Sequence, residues 1–386
     1  MKLAYVTTYD ARSLQGSNEW SGTGYYIAEA LKKQALSLEY MGPLKDPAAL
    51  KVIRKLKRYY YEQLHRKNYQ KDPDSSMLKN YANQIARKLS STKVDIVFSA
   101  TVDPIAYLEC VQPTAFWADG TFAKIQDFYP LYSNLCEPII HNWHKMEKLA
   151  LQRCSLAIYS SDWAAESAIH DYGADPTKVK VVPFGSNTDS PFTYDTIQDV
   201  IKARTSGRCK LLFLAVDWAR KGGNVAYEVV KSLNQSGLKT ELTVVGCYPS
   251  IEEPLPDFVK VLGFISKSTD EGKKRIQDLI LESHFLILPT LADCTPIVLC
   301  EANSLGVPCL STTVGGISTI IHNDANGQLF NSKADITEYC DYIHQLFSNY
   351  SNYQDLALSA FNEYQSRLNW RVAGQTVKRL LTDIIS

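Results

Sequence analysis

The run from His284 to Ile321 leaves this chain few folds to choose from. HFLILPT (His284–Thr290) is an apolar run that reads as a buried parallel strand. VPCLST (Val307–Thr312) reads as the next strand, and Ile297–Leu305 between them as a helix. Pro296 stands at the first helical position, where a missing N–H costs little. Strand, helix and strand in that order bring the free N–H groups of a helix N-terminus to the C-terminal edge of a sheet, which is a ready anion site. Asp293 sits in the loop before the helix, and Glu301 about one turn inside it. Val314-Gly315-Gly316 repeats the device after the following strand, where glycine lets backbone approach a phosphate. Alone, the two acids also fit a blander account: Asp293 as an N-terminal charge on a helix, Glu301 as a surface carboxylate.

Taken whole, DCTPIVLCEANSLGVPCLSTTVGGISTII (Asp293–Ile321) resembles the acid-x7-acid signature of the retaining GT-B glycosyltransferases of group 1, the large family 4. That family usually has Glu at the first acid; Asp293 is one methylene shorter. The resemblance implies that Asp293 lies near the donor sugar, that the backbone of Thr295, Pro296 and Ile297 holds the diphosphate, and that Glu301 binds the ribose.

At 386 residues the chain is too long for one ordinary domain, and two are expected. Lys+Arg and Asp+Glu both total 41, so the net charge is zero, which argues against a general nucleic-acid-binding surface. No apolar run approaches the length of a membrane span. MKLAYVTTYD turns polar at once and reads as a first strand, not a signal peptide. Nine cysteines, without any CxxC pair, read as buried thiols of a reducing cytosol.

Along the chain, Lys2–Thr8 is a strand, and Ser21-Gly22-Thr23-Gly24 opens a helix over Tyr25–Lys33. Strand, glycine loop and helix make a phosphate-loop arrangement, although a tight turn explains two glycines equally well. By resemblance Gly22 and Gly24 touch donor phosphate or acceptor. Lys51–Lys71 carries eight Lys/Arg against one acid, Glu62, with Ile53, Leu56, Tyr60 and Leu64 on one helical face. It reads either as a solvated helix covering the domain edge or as a contact for an anionic membrane or acceptor. Asp119 follows the strand Pro113–Trp117, where many family members carry a histidine; it either fills that polar role or initiates a turn. His141, His144 and Glu147 have a spacing that could hold a metal, but without supporting ligands they read as structural.

SDWAAESAIHDYGADPTKVKVVPFGSNTD resembles the family's end of the first domain, with Gly185 near the cleft. In the second half, Lys210–Val216 is a strand, and Asp217-Trp218-Ala219-Arg220-Lys221-Gly222-Gly223 follows it. Two cations at a strand end before a glycine-rich helix start form an anion clamp. In the family an Arg and a Lys there neutralise the donor diphosphate. The usual Arg directly after the strand is absent, so Arg220 would supply that charge beside Lys221. Leu262-Gly263-Phe264-Ile265 resembles the loop that meets the base through backbone atoms.

The expected architecture is therefore α/β, with two doubly wound Rossmann-like domains of the GT-B kind: 1–189, a linker 190–207, 208–367, and a tail 368–386 crossing back to the first domain. The expected activity is transfer of a hexose-type sugar from a nucleotide-diphosphate sugar to a hydroxyl acceptor with retention, catalysed without metal or other cofactor. Asp293, Arg220, Lys221 and Asp119 would be catalytic, while Glu301, Thr295, Pro296, Ile297, Gly22, Gly24, Gly185 and Ile265 would bind the donor. The acceptor would be a glycan, a lipid or a small molecule, and the protein cytoplasmic, peripheral on the inner membrane face through 51–71. The alternatives are a non-catalytic nucleotide-sugar binder, or a GT-B phosphorylase or epimerase.

Overall fold

The structure, a computed structural model, describes residues 1–14, 22–69, 72–188 and 191–385. Ser21 at the head of the glycine loop, Lys71 at the end of the basic run, and Asp189 and Ser190 at the expected domain join lie outside the described residues. The chain divides into two compact units, Met1–Pro183 with Trp370–Ser386, and Phe184–Asn369.

The first unit is built on a six-stranded parallel sheet: β1 (Lys2–Val6), β2 (Ser37–Tyr40), β3 (Ile96–Ser99), β4 (Thr114–Ala118), β5 (Leu156–Tyr159) and β6 (Val179–Val181), in the order β2-β1-β3-β4-β5-β6. The central strands β3, β4 and β5 are buried at every residue, as strands covered on both faces must be. The helices are α1 (Thr23–Lys33), α2 (Ala48–Tyr59, continued by a π turn, Tyr60–Leu64), α3 (Ser75–Leu89), α4 (Phe122–Ile125), α5 (Glu137–Arg153) and α6 (Asp162–His170). Asp74 starts α3 by accepting from the amides of Ser76 and Met77.

The second unit begins earlier than expected. The stretch 190–207, read as a linker with a first helix, contains α7 (Tyr194–Ala203), whose Ile197 and Ile201 are buried in the second core. The strands that follow are β7 (Cys209–Leu214), β8 (Thr240–Val245), β9 (Val259–Val261), β10 (Phe285–Leu288), β11 (Cys309–Thr312) and β12 (Gly327–Phe330). All are parallel, in the order β9-β8-β7-β10-β11-β12. The helices are α8 (Gly223–Gln235), α9 (Asp270–Leu281), α10 (Ile297–Asn303), α11 (Ile317–Ile320), α12 (Ile336–Ser348) and α13 (Tyr350–Arg367). The chain's last helix, α14 (Trp370–Asp383), belongs to the first unit, where Trp370 stacks on Tyr26 of α1 and meets Trp117 edge-on.

Arg204, at the end of α7, is a buried cation with no carboxylate on it among the described residues. Its guanidinium donates to Leu281 O (3.1 Å), Gly306 O (2.6 Å), Leu305 O (3.0 Å) and the Tyr353 hydroxyl (2.9 Å). These carbonyls end or follow α9 and α10, so the charge sits at the negative ends of two helices. Next to it His284 is buried between strands: its Nδ1 accepts the Lys210 N–H (3.0 Å), which leaves the proton on Nε2, facing Thr205 O (3.0 Å). All nine cysteines are free thiols, seven of them buried.

Candidate functional site

In the second sheet the winding reverses between β7 and β10, and the loops leaving those two neighbours diverge. Open α/β sheets bind ligands at such a switch point. The sequence motifs fall there: Asp217–Gly223 leaves β7, and Thr290–Pro296 leaves β10. Asp217 shapes the first loop by accepting the Arg220 N–H (3.0 Å) and pairing with its Nε (3.3 Å). The loops are then tied together. The Arg220 carbonyl accepts from Leu291 N (2.8 Å) and the Thr290 hydroxyl (3.2 Å), and Arg220 Nη1 donates to Ala292 O (2.7 Å). Lys221 pairs through Nζ with Asp293 Oδ2, and both side chains are nearly buried. Gly222 is required for this approach. Its φ is +79°, and a Cβ there would lie 1.9 Å from Pro289 O.

The Arg220–Lys221 clamp and Asp293, read from two separate stretches of sequence, are thus one constellation. Pro296 differs from expectation. It is the N-cap of α10 and not its first helical residue (φ −73°, ψ 99°), so Ile297 opens the helix and the Pro296 carbonyl accepts from Leu299 N (3.0 Å). Thr295 is nearly buried just ahead of it. The Val314-Gly315-Gly316 loop joins from β11, with Gly315 at φ +56° and Gly316 N donating to Cys294 O (3.0 Å). Glu301 is no surface acid. It is 1% exposed on α10, and its Oε2 pairs with Lys267 Nζ from the loop after β9. Sequence reasoning missed Lys267, although it lies two residues beyond Ile265. Ile265 itself packs its side chain against the core. Gly185 is buried beside Phe184, whose carbonyl faces the Cys300 thiol of α10 (3.7 Å). Missed as well were Val216, Tyr248 and Leu291, exposed apolar side chains each from the loop after a different strand of this edge; Phe264, in the loop expected to meet the base through backbone, exposes its ring there too.

In the first unit, Gly22 caps α1 at φ +79°. Gly24 has a packing reason: a Cβ would lie 2.0 Å from the Tyr9 hydroxyl, and its carbonyl accepts the Tyr5 hydroxyl (2.6 Å). Asp119 is half-buried immediately after β4. The segment behind it is held from beneath. Thr121 Oγ1 meets Ser167 Oγ (2.6 Å), and Ala123 N donates to the Tyr172 hydroxyl (3.0 Å), which also meets His144 Nδ1 (2.9 Å). Glu147 accepts the Tyr159 hydroxyl (3.2 Å) and the Phe122 amide; burial pushes its carboxyl up to about 7. Burial lowers the His144 pKa. His144 and Glu147 therefore spend their polar atoms on protein groups, as the structural reading of that cluster expects.

Residues 208–349 match the family described as glycosyl transferases group 1. That stretch, from β7 to the end of α12, is similar to group 1 glycosyl transferases and makes up most of the second unit. A curated relative, the amylovoran biosynthesis glycosyltransferase AmsK of Erwinia amylovora, is 25% identical over 187 residues. That match covers 45% of this chain and 44% of AmsK, so it spans less than half of the relative's length. Among solved structures, a glycosyltransferase from Rickettsia africae superposes with a TM-score of 0.65 at 14% identity, covering 100% of this chain and 98% of the other. Sucrose-phosphate synthase from Thermosynechococcus elongatus gives 0.69 at 12% identity, covering 100% and 99%. Anabaena HepE, solved in complex with UDP, gives 0.66 at 16% identity, covering 99% and 100%. With two parallel six-stranded sheets flanked by helices, the two units have the GT-B fold.

Proposed function

We propose that this protein transfers a hexose-type sugar from a nucleotide-diphosphate sugar to a hydroxyl acceptor, with retention at the anomeric carbon. The observation that carries the reading is the joining of Arg220, Lys221 and Asp293 at the switch point of the second sheet, in a stretch similar to group 1 glycosyl transferases. Two cations and the amides around Ile297 suit a diphosphate that gains negative charge as the sugar–oxygen bond breaks. The acceptor hydroxyl attacks the face that the phosphate leaves. Its oxygen bonds to the anomeric carbon, its proton passes to the departing phosphate oxygen, and nucleotide diphosphate is released. The protein supplies position and charge, and no metal enters the scheme. Asp293 would face the sugar, and Glu301 the ribose, exchanging its contact with Lys267 for one shared with the nucleotide. Tyr248 and Phe264 offer apolar faces to the base. Asp119 would take the polar role beside the reacting sugar. HepE's binding of UDP supports a nucleotide donor for a fold of this kind.

A thermal-shift panel of UDP-, GDP- and ADP-sugars comes first. Ligand at a hundred times its Kd stabilises by about 2.7 kcal/mol. NMR of the product from the stabilising donor then reads the anomer. Inverted product would refute retention, and no release of nucleotide diphosphate with any acceptor class would refute transfer. Activity that EDTA abolishes and magnesium restores would refute the metal-free scheme.

A further inference from the structure

The short turn α4, just behind Asp119, is held by more polar groups than its burial requires. Phe122 already anchors it, 1% exposed and stacked on Trp143 at 5.3 Å. Three consecutive residues are nevertheless gripped by polar side chains as well. Thr121 Oγ1 donates to Ser167 Oγ (2.6 Å), and Ser167 in turn to Asp171 Oδ2 (2.5 Å). The Phe122 amide donates to the Glu147 carboxyl of α5, and the Ala123 amide to the Tyr172 hydroxyl (3.0 Å). Burial, and then the Glu147 charge, raise the Tyr172 pKa, so that hydroxyl keeps its proton and donates it to His144 Nδ1 (2.9 Å). His144 Nε2 then carries the imidazole proton and faces Gln126 Oε1 (3.3 Å), and Gln126 is the residue that ends α4. Both ends of the turn are thus tied to α5. Upstream, Ala118 ends β4 with its carbonyl on Ser160 N (2.9 Å). Only Asp119 and Gly120 lie between that residue and Thr121, so the place of Asp119 is set from both sides. Polar groups cost free energy to bury, and a fully satisfied network of them fixes one arrangement where apolar packing alone would admit several.

We propose that Glu147 and Tyr172 are positioning residues for glycosyl transfer, holding the Phe122 and Ala123 amides so that the Asp119 carboxylate is presented to the reacting sugar. This holds only with the role given to Asp119 above. Neither Glu147 nor Tyr172 touches substrate; both act through the backbone that follows Asp119. The grip needs an acceptor and not a charge, because a protonated Glu147 still offers an oxygen to the Phe122 amide. Glutamine at 147 keeps that oxygen and can turn its NH₂ to the Tyr159 hydroxyl oxygen, whereas methionine fills the space and offers the amide only a weak thioether acceptor. Phenylalanine at 172 deletes one oxygen and with it the acceptor for Ala123 N and the donor to His144.

The first readout needs no substrate. Hydrogen exchange over residues 119–126 should quicken about tenfold or more in Tyr172→Phe and Glu147→Met, but not in Glu147→Gln, while β3 amides keep wild-type rates in all three. The second is turnover of whichever UDP-, GDP- or ADP-sugar stabilises the full chain. Tyr172→Phe and Glu147→Met should lower kcat about tenfold with the donor KM within about twofold of wild type, and Glu147→Gln should recover most of it. Asp119→Asn should lower kcat on its own, and adding Tyr172→Phe to it should cost at most about twofold more, since the clamp then has nothing left to place. If Glu147→Met does not fold, Tyr172→Phe carries both readouts. Wild-type exchange over 119–126 in Tyr172→Phe would overturn the assignment, as would a Glu147→Gln no better than Glu147→Met. A Tyr172→Phe loss that adds in full to an impaired Asp119→Asn would sink the positioning and leave Asp119 standing. Wild-type kcat in Asp119→Asn would remove the role of Asp119, and the positioning with it, while transfer itself stands.

Discussion

Acidification should act on the two units in opposite directions. In the second unit, burial first and then the Arg204 charge push the His284 imidazole down to about 3. Its ordinary value is about 6.5, so in the unfolded chain it charges between pH 7 and 5, and in the fold it does not. A depressed folded pKa contributes stability that is present above 6.5 and is lost as pH falls towards 3. In the first unit, burial raises Glu147 from 4.5 to about 7. A raised folded pKa contributes stability that is full below 4.5 and is lost as pH rises through 7. Linkage turns both into free energies. Between pH 7 and 5, His284 withdraws about 2 kcal/mol from the second unit, and Glu147 adds about 2 kcal/mol to the first. A scan that treats the chain as one transition would see these nearly cancel.

Hydrogen exchange resolved by peptide separates them. After correction for intrinsic rates, β10 amides should open about thirtyfold more readily at pH 5 than at pH 7, and β5 amides about thirtyfold less readily. His284→Gln should flatten the first dependence alone, and Glu147→Gln the second alone, whatever each does to baseline stability. Other carboxylates also titrate in this range, so the decisive quantity is the difference in slope between wild type and variant. If both units shift the same way and His284→Gln keeps the wild-type slope, the argument from burial is wrong.

Arg204→Met should cost about 3–5 kcal/mol by urea unfolding, because three carbonyls and a buried hydroxyl lose a charged donor at once; Arg204→Lys should recover little, lacking the fork. Gly222→Ala should lower both Tm and kcat/KM, since its Cβ would meet Pro289 O at 1.9 Å, whereas Gly237→Ala, at φ +93° with nothing within 4 Å, should cost only about 1 kcal/mol of backbone strain. Lys221→Met should destabilise by about 3–5 kcal/mol by leaving Asp293 a nearly buried charge. Adding Asp293→Asn should restore most of that while transfer stays about 10²–10³-fold down, and full recovery of transfer would refute the clamp. Glu301→Gln should raise the Kd for nucleotide diphosphate while Asp293→Asn acts mainly on kcat; equal losses of affinity by calorimetry would contradict that division.

What the sequence makes legible here is whatever depends on neighbours along the chain. Phe285–Leu288, and Cys209–Leu214 apart from Lys210, read as buried strands because a doubly covered parallel strand is a nearly continuous apolar run. Loops that begin one residue past such strands are placed at a sheet edge by the strand pattern alone. The edge strands β2 and β12 escaped, since SLEY and GQLF are half-exposed and carry no apolar run. Helix α3 escaped for another reason: its Met77, Leu78, Tyr81 and Ile85 stripe is clear, but the dense charge of the preceding segment obscures where it starts. Lys267 and Arg204 were out of reach. Their partners lie 34 residues away for Lys267 and 77 to 149 away for Arg204, and nothing local distinguishes them from solvated cations.

Helix α2 shows where periodicity stops informing. The spacing of Ile53, Leu56, Tyr60 and Leu64 establishes one apolar face, and the usual inference turns that face inward, because water is the only alternative a sequence offers. In the structure the face points outward, each of the four between 47% and 66% exposed, and the direction is set elsewhere. Arg54 and Lys57 find carboxylates at Asp46 and Asp72, one just before the helix and one after it, and each carboxylate is already held by a tyrosine. Turning the helix over would bury the apolar face but strand Asp72, which is 1% exposed, without its cation. An uncompensated buried charge costs several kcal/mol, comparable to what burying two or three apolar side chains returns. The inverted setting is then no accident of packing. Asp72→Asn should release the helix, and limited proteolysis within 51–67 should accelerate in that variant while the rest of the first unit resists. Unchanged cleavage would mean that the Asp72 pair does not hold the stripe outward.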